Sequence, residues 1–209
     1  PEEFIPVAED TGMILSMGEW VLHQSCEQIV KWRATHNGEL RISVNLSARQ
    51  FRNQDLVDVI YRILETTHCP PQALELEITE SVLMERPETI SARLQQLYDM
   101  GVRLSIDDFG TGYSSLSYLR NFPIHELKID RSFVENITRD DNHASIVKAI
   151  ISLAHSMSLT VLAEGVETQE QLDYLRAQEC DYLQGFFFSR PLPGKELEKL
   201  LEKSSALNC

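Results

Sequence analysis

Cysteine is scarce in this chain, and what little there is excludes two common classes. Cys26, Cys69, Cys180 and Cys209 are far apart, with no C-x-x-C pair and no histidine at ligand spacing. A disulfide-stapled secreted domain and a zinc finger or ribbon are therefore excluded, and free thiols in a reducing cytoplasm are expected. Long apolar runs are missing too. None approaches the roughly 20 residues that a membrane-spanning helix requires, and the opening PEEFIPVAEDTG has no basic region followed by an apolar one. No export or anchoring segment is expected in this chain, although a parent protein could be membrane-tethered through other regions. Positive charge is the third deficit: Lys and Arg total 19 against 32 Asp and Glu, a formal charge of -13. That balance repels nucleic-acid backbones and anionic membranes at long range, so neither DNA nor RNA is an expected partner. A polyanionic substrate requires bound cations.

What remains is an ordinary globular composition, with 43% hydrophobic and 24% charged residues. The 209 residues fall between one large domain and two small ones, and we read residues 1–209 as one domain. Helix-period and strand-period segments alternate, which implies an α/β protein. A short helix closes at Gly12, and the stripe Ile14, Met17, Val21, Cys26, Ile29 and Val30 predicts a second helix ending at Gly38. Further helices are predicted at 51–68, at 87–100 from Pro87 to Gly101, and at 141–157, 169–178 and 194–203. The predicted strands are RISVNLS, LELEIT, VRLSID, ELKID, LTVLAEG and YLQGF.

Side chains alternate between the two faces of a strand. Ile42, Val44 and Leu46 oppose Ser43, Asn45 and Ser47, and Leu74, Leu76 and Ile78 oppose Glu75, Glu77 and Thr79. The split recurs in Leu104 and Ile106 against Ser105 and Asp107, in Leu127 and Ile129 against Lys128 and Asp130, and in Val161 and Ala163 against Leu162 and Glu164. An open doubly wound sheet makes both faces apolar. A closed barrel packs its outer face on helices and carries polar groups at its carboxyl-terminal mouth, so we read a (β/α) barrel. Six strands are visible where eight usually close the barrel, and the expectation is that two precede Pro1 in a parent protein.

If the polar faces converge, the mouth collects Asn45, Glu77, Asp107, Asp108, Lys128, Glu164 and Gln184. So many carboxylates repel one another by several kcal/mol unless protons or cations neutralise them. Oxygen ligands favour Mg²⁺ or Mn²⁺ over zinc.

The segments SVNLSARQF, LELEITES, IDDFGTGYSSLSYLRNFPIHELKID, VLAEGVET and LQGFFFSRPLP resemble, in order and spacing, the motif series of the EAL-domain cyclic di-GMP phosphodiesterases. The resemblance covers essentially the whole chain. It implies a modified (β/α)₈ barrel of TIM type with one antiparallel strand. The activity it implies is hydrolysis of one phosphodiester bond of cyclic di-GMP to linear pGpG with two Mg²⁺ or Mn²⁺ ions, in bacterial second-messenger signalling. By position, Asn45, Glu77, Asp107, Asp108 and Glu164 match the family's metal ligands, with Asp107 bridging and Asp107 and Glu164 also counted as catalytic. Lys128 matches the catalytic lysine and Gln184 a position that contacts water or substrate. Glu80 matches a glutamate that supports the loop beginning at Asp108, Glu167 an accessory acid, and Asp130 is read as a further accessory acid. Two metals about 3.5–4 Å apart can acidify a bridging water, orient it for in-line attack and stabilise the leaving 3′-oxygen.

Other readings stand beside these. Gly110-Thr111-Gly112 before Tyr113-Ser114-Ser115 lacks the Lys and spacing of a P-loop; the resemblance implies a mobile loop coupling metal occupancy and dimer contacts to activity, and the alternative is a passive turn. Gln50 and Arg190 either touch guanine or phosphate or pack their loops. The tripeptide Glu-Ala-Leu is absent; the family carries it, with a metal-binding glutamate and a substrate-holding arginine, ahead of the segment that begins this chain. A second functional reading is therefore an inactive EAL-like receptor that binds cyclic di-GMP without cutting it. The resemblance also implies a homodimer and an upstream GGDEF or sensor domain.

Overall fold

The computed structural model describes residues 1, 3–36, 40–85, 87–112 and 116–207. Gly38, Tyr113, Ser114, Ser115 and Cys209 lie outside the described residues. Helices α1 (Ile5–Thr11) and α2 (Met13–Thr35) precede β1 (Ile42–Leu46), α3 (Ala48–Arg52), α4 (Leu56–Thr67) and β2 (Leu74–Thr79). Then come α5 (Glu80–Glu85), α6 (Pro87–Asp99), β3 (Arg103–Phe109), α7 (Leu116–Leu119), β4 (Glu126–Ile129) and α8 (Arg131–Glu135). The chain continues through α9 (Asp141–Ser156), β5 (Thr160–Ala163), α10 (Gln169–Ala177), β6 (Tyr182–Leu183) and α11 (Gly194–Leu207). The strands form a six-stranded sheet in the order β1-β2-β3-β4-β5-β6, and the described pairings β1·β2, β3·β4, β4·β5 and β5·β6 are all parallel. This is the α/β architecture expected from the alternation. Among the described residues no helix is long and apolar enough to cross a membrane.

The chain divides into two compact units. The first comprises Pro1–Ile78, Ala92–Leu104 and Pro193–Cys209. Its longest helix, α2, buries Ile14, Gly18, Leu22, Cys26 and Ile29, a spacing that keeps one face inward. That face meets α4, which buries Leu56, Ile60, Ile63 and Leu64. Gly18 makes room there for the Gln50 side chain: a Cβ at this position would stand 1.8 Å from Gln50 Nε2. Residues 51–68 form two helices rather than the single one predicted. Asn53 is extended, and its Oδ1 accepts the Asp55 N–H at 3.3 Å, a local bond that competes with helix continuation. At the start of β2 the buried carboxylate of Glu75 accepts from Arg103 Nε at 3.1 Å and lies 3.7 Å from Arg41.

The second unit comprises Thr79–Ser91 and Ser105–Leu192. Helix α9 buries Val147, Ile150, Ile151 and Ala154 against β4 and β5, where Leu127, Ile129, Val161 and Ala163 are fully covered. The polar residues of the same strands are covered too, Lys128 at 4% and Glu126 at 3% exposure. Burial on both faces is what a parallel sheet imposes, and the polar side chains meet it by pairing; Glu126, for example, accepts from Thr160 Oγ1 at 3.1 Å. Beyond β6, Gly185 crosses the backbone of Val166 so closely that a Cβ would lie 2.1 Å from its carbonyl oxygen.

Two stability outcomes follow. Leu76→Ala, at a fully covered site, should lose about 2–5 kcal/mol in urea denaturation. Gly185→Ala has backbone rather than a movable side chain in its way, so calorimetry should show a loss of about 3 kcal/mol, the upper end of the usual overpacking cost.

Candidate active site

The chemistry-bearing side chains of the second unit sit where β3, β4 and β5 end. Strand β3 carries a bulge there: Ile106 pairs with Leu127 but Phe109 pairs with Ile129, so Asp107 and Asp108 together face the single residue Lys128. Asp108 has φ 54°, a left-handed conformation that costs a non-glycine residue about 1–3 kcal/mol. Its neighbours hold it there. Phe109 is buried at 4% exposure, and Gly110, at φ 99°, donates its N–H to Glu80 Oε2 at 2.9 Å. Glu80 is itself buried and accepts a second N–H, from Gly112, at 3.4 Å. The bulge is missing from the sequence reading, yet it leaves a sign: after Leu104 and Ile106 the next covered apolar residue is Phe109, three positions on instead of two.

Lys128 is the centre of this group. Its ammonium lies 3.2 Å from Asp107 Oδ1 and 2.5 Å from Glu164 Oε1. A buried ammonium persists only when it is paired. Asp107 Oδ1 is fully buried and has no hydrogen-bond partner, so at 3.2 Å the lysine attracts it as a charge without the alignment of a hydrogen bond. The Asp108 carboxyl is held above its ordinary range, first by desolvation and then by the negative charges of Asp107, Asp130 and Glu164, with Lys128 offsetting part of the effect. A group of carboxylates in this state gains from a cation.

In the first unit Asn45 and Glu77 are register partners on β1 and β2, and parallel partners present their side chains to one face. Asn45 is exposed, whereas Glu77 is 6% exposed. Among the described residues no three Asp, Glu, His or Cys side chains already stand as a ligand group. Within the second unit the carboxylates of Asp107, Asp108 and Glu164 offer only oxygens, and Asp107 has a buried lone pair that no hydrogen bond uses. These three residues fit a hard divalent ion such as Mg²⁺ or Mn²⁺ and do not suit zinc.

The remaining residues singled out in the sequence take diverse places. Asp130 is the N-cap of α8 and accepts the Ser132 N–H at 3.0 Å. Gln50 is 5% exposed and closes the capping box of α3 with Ser47. Glu167 pairs with Arg131 at 3.0 Å. Arg190 lies over the Phe186 ring at 4.6 Å, a cation–π contact. Gln184 is an exposed side chain whose backbone bonds Ala163 and Val166. Sequence reasoning misses Gln171, a buried amide at the start of α10, although Thr168-x-x-Gln171 is a visible capping-box signature.

Residues 1–191 match the family model of the EAL domain. The chain is 46% identical over 201 residues to the signaling protein YkoW of Bacillus subtilis (strain 168), covering 96% of this chain and 25% of that protein. It is 45% identical over 197 residues to the bifunctional diguanylate cyclase/cyclic di-GMP phosphodiesterase MucR of Pseudomonas aeruginosa, covering 94% and 29%. The chain thus spans between 25% and 29% of the length of these curated relatives. Among solved structures, that of the PaMucR phosphodiesterase in complex with c-di-GMP aligns with a TM-score of 0.92 and 45% identity, over 94% of this chain and 80% of that one. The fold of these EAL neighbours is a TIM-like barrel, to which a parallel sheet of six strands with helices corresponds. With the family model matched from Pro1 to Arg190 and one residue beyond, the chain belongs to the EAL domain family.

Proposed function

We propose that this chain is the phosphodiesterase portion of a signalling protein, cutting one phosphodiester bond of cyclic di-GMP to give linear pGpG with two Mg²⁺ or Mn²⁺ ions. The observation that carries the reading is the buried Asp107–Lys128–Glu164 cluster beside the bulged Asp108. Relatives named as cyclic di-GMP phosphodiesterases support it. Asp107, Asp108 and Glu164 would hold the ions, and family resemblance assigns Asn45 and Glu77 to the same task. When bound, divalent ions supply charge neutralisation on the phosphate and a more acidic water.

The protein's own groups then have distinct roles. Lys128 Nζ donates hydrogen bonds to the attacking water or to a non-bridging phosphate oxygen, where negative charge grows as the water oxygen bonds to phosphorus and the bond to the 3′-oxygen breaks. The carboxylate oxygens of Asp107 and Glu164 orient that water and keep the ammonium at its station. Glu80 fixes the loop that starts at Asp108 by gripping two of its N–H groups. Gln184 and Arg190 are assigned to nucleotide contact, and Glu167 and Asp130 to support of the segments around Glu164 and Lys128. The parent protein is proposed to join this portion to a GGDEF or sensor domain, in keeping with a relative named as a bifunctional diguanylate cyclase/cyclic di-GMP phosphodiesterase, and to act as a homodimer in the cytoplasm.

Full-length protein with Mn²⁺ should convert cyclic di-GMP to pGpG in a chromatographic assay, and chelation should abolish turnover. Tight calorimetric binding without cleavage would replace the enzyme by a receptor; absence of both would overturn the proposal. Lys128→Met should lower kcat by about 10²–10³-fold. It also removes the ammonium that faces Asp107 and Glu164, so thermal denaturation without metal should show a loss of about 3 kcal/mol, and Mn²⁺ should raise the Tm of this variant more than that of the wild type.

A further inference from the structure

Gln171 lies outside the ring of charged residues, yet its amide is fully used. Its Oε1 accepts the N–H of Glu167 at 2.7 Å and of Thr168 at 3.0 Å. Its Nε2 donates to the carbonyls of Val134 at 3.2 Å and Glu135 at 3.3 Å. An amide has two donors and an oxygen with two lone pairs, so no capacity is left over, and at 5% exposure water does not share the work. The acceptor half serves the segment between β5 and α10. The donor half serves the last carbonyls of α8, of which that of Val134 also accepts the Ile137 N–H at 3.3 Å.

Those two segments carry the ends of the central ion pair. Helix α8 begins three residues after Lys128, and the segment after β5 begins with Glu164. The segment is tied to α8 at its other end as well: Glu167 meets Arg131 at 3.0 Å, and Gly165, at φ 72°, lies so close that a Cβ would come within 2.4 Å of Arg131 Cγ. From these contacts we infer that Gln171 is a positioning residue, a latch that fixes Glu164 opposite Lys128 by fastening the β5–α10 segment to the carboxyl end of α8. Its effect on chemistry is indirect. It touches neither substrate nor ion, and sets where the Glu164 carboxylate stands when a divalent ion arrives. The inference rests on the metal-dependent reading given above.

Gln171→Glu separates the two halves of the latch. A glutamate keeps the acceptor oxygens that complete the capping box but has no N–H for the Val134 and Glu135 carbonyls and sets a negative charge against them. Calorimetric titration with Mn²⁺ alone should show affinity reduced by about 10- to 100-fold, the range for partners that orient a ligand, and hydrogen exchange at residues 164–168 should speed up. Thr168→Ala is the control for a purely structural effect: it removes the acceptor of the Gln171 N–H without touching the bonds to α8, and should lower Tm while leaving Mn²⁺ affinity at the wild-type value. If Gln171→Glu does not fold, Gln171→Met, which keeps the chain length and drops the donors together with the amide acceptor, takes its place in the titration. Wild-type Mn²⁺ affinity in the Gln171 variant, or an equal loss in Thr168→Ala, would overturn the latch alone. A wild-type protein that binds no Mn²⁺ would overturn the metal site itself and the latch with it.

Discussion

One buried ammonium governs the organisation of the second unit. Lys128 is almost entirely withdrawn from water, and a lysine in that position is stable only because two carboxylates come to meet it. Each arrives from a neighbouring strand, Asp107 from β3 and Glu164 from the end of β5. The parallel pairing of β4 with both neighbours makes the meeting possible, since it sets three strand ends side by side. The same pairing gathers negative charge, because Asp108 and Asp130 add to a field that Lys128 offsets only in part. Structure and chemistry thus share a cause: the fold needs the lysine to hold its acids, and the excess acid is what a divalent ion can use.

Short capped helices keep these strand ends in order. Ser47 caps α3 directly after β1, Asp130 caps α8 directly after β4, and Thr168 caps α10 after the Glu164 segment. A cap satisfies N–H groups that the first turn leaves open, and here it also fixes the direction in which the chain leaves the strand. Glu80 acts similarly from a helix of its own, accepting N–H groups from the loop beyond β3. Polar residues near the strand ends therefore divide into those that point chemistry outward and those that tie the backbone down.

Much of this was legible in the sequence, and the misses have physical reasons. LELEIT predicts a strand over the residues that β2 occupies, and the predicted helices at 141–157 and 169–178 overlie α9 and α10 to within a residue. Their length gives the helical period room to show. Helices α3, α5, α7 and α8 have four to six residues, fewer than two turns, so no apolar stripe announces them. Alternation also brought out Asp107, Lys128 and Glu164 as one polar set. It could not separate them from Glu75 and Glu126, which share the polar phase but lie at the starts of their strands and are consumed by Arg103 and Thr160. Gln50 and Asp130 were visible as polar residues near a mouth, whereas their service to helix starts depends on hydrogen bonds that spacing alone suggests but does not decide.

The extra residue in β3 bears on any attempt to transplant this chemistry. Up to Ile106 the strand keeps step with β4, and from Phe109 onward it is one position out of phase. A graft that copied only the identities of the acids onto a regular strand would send one of two adjacent carboxylates to the helix-covered side. The transferable piece is the pair of strands together with their mismatch, because the irregularity, more than the residue names, sets consecutive aspartates opposite one residue of the neighbouring strand.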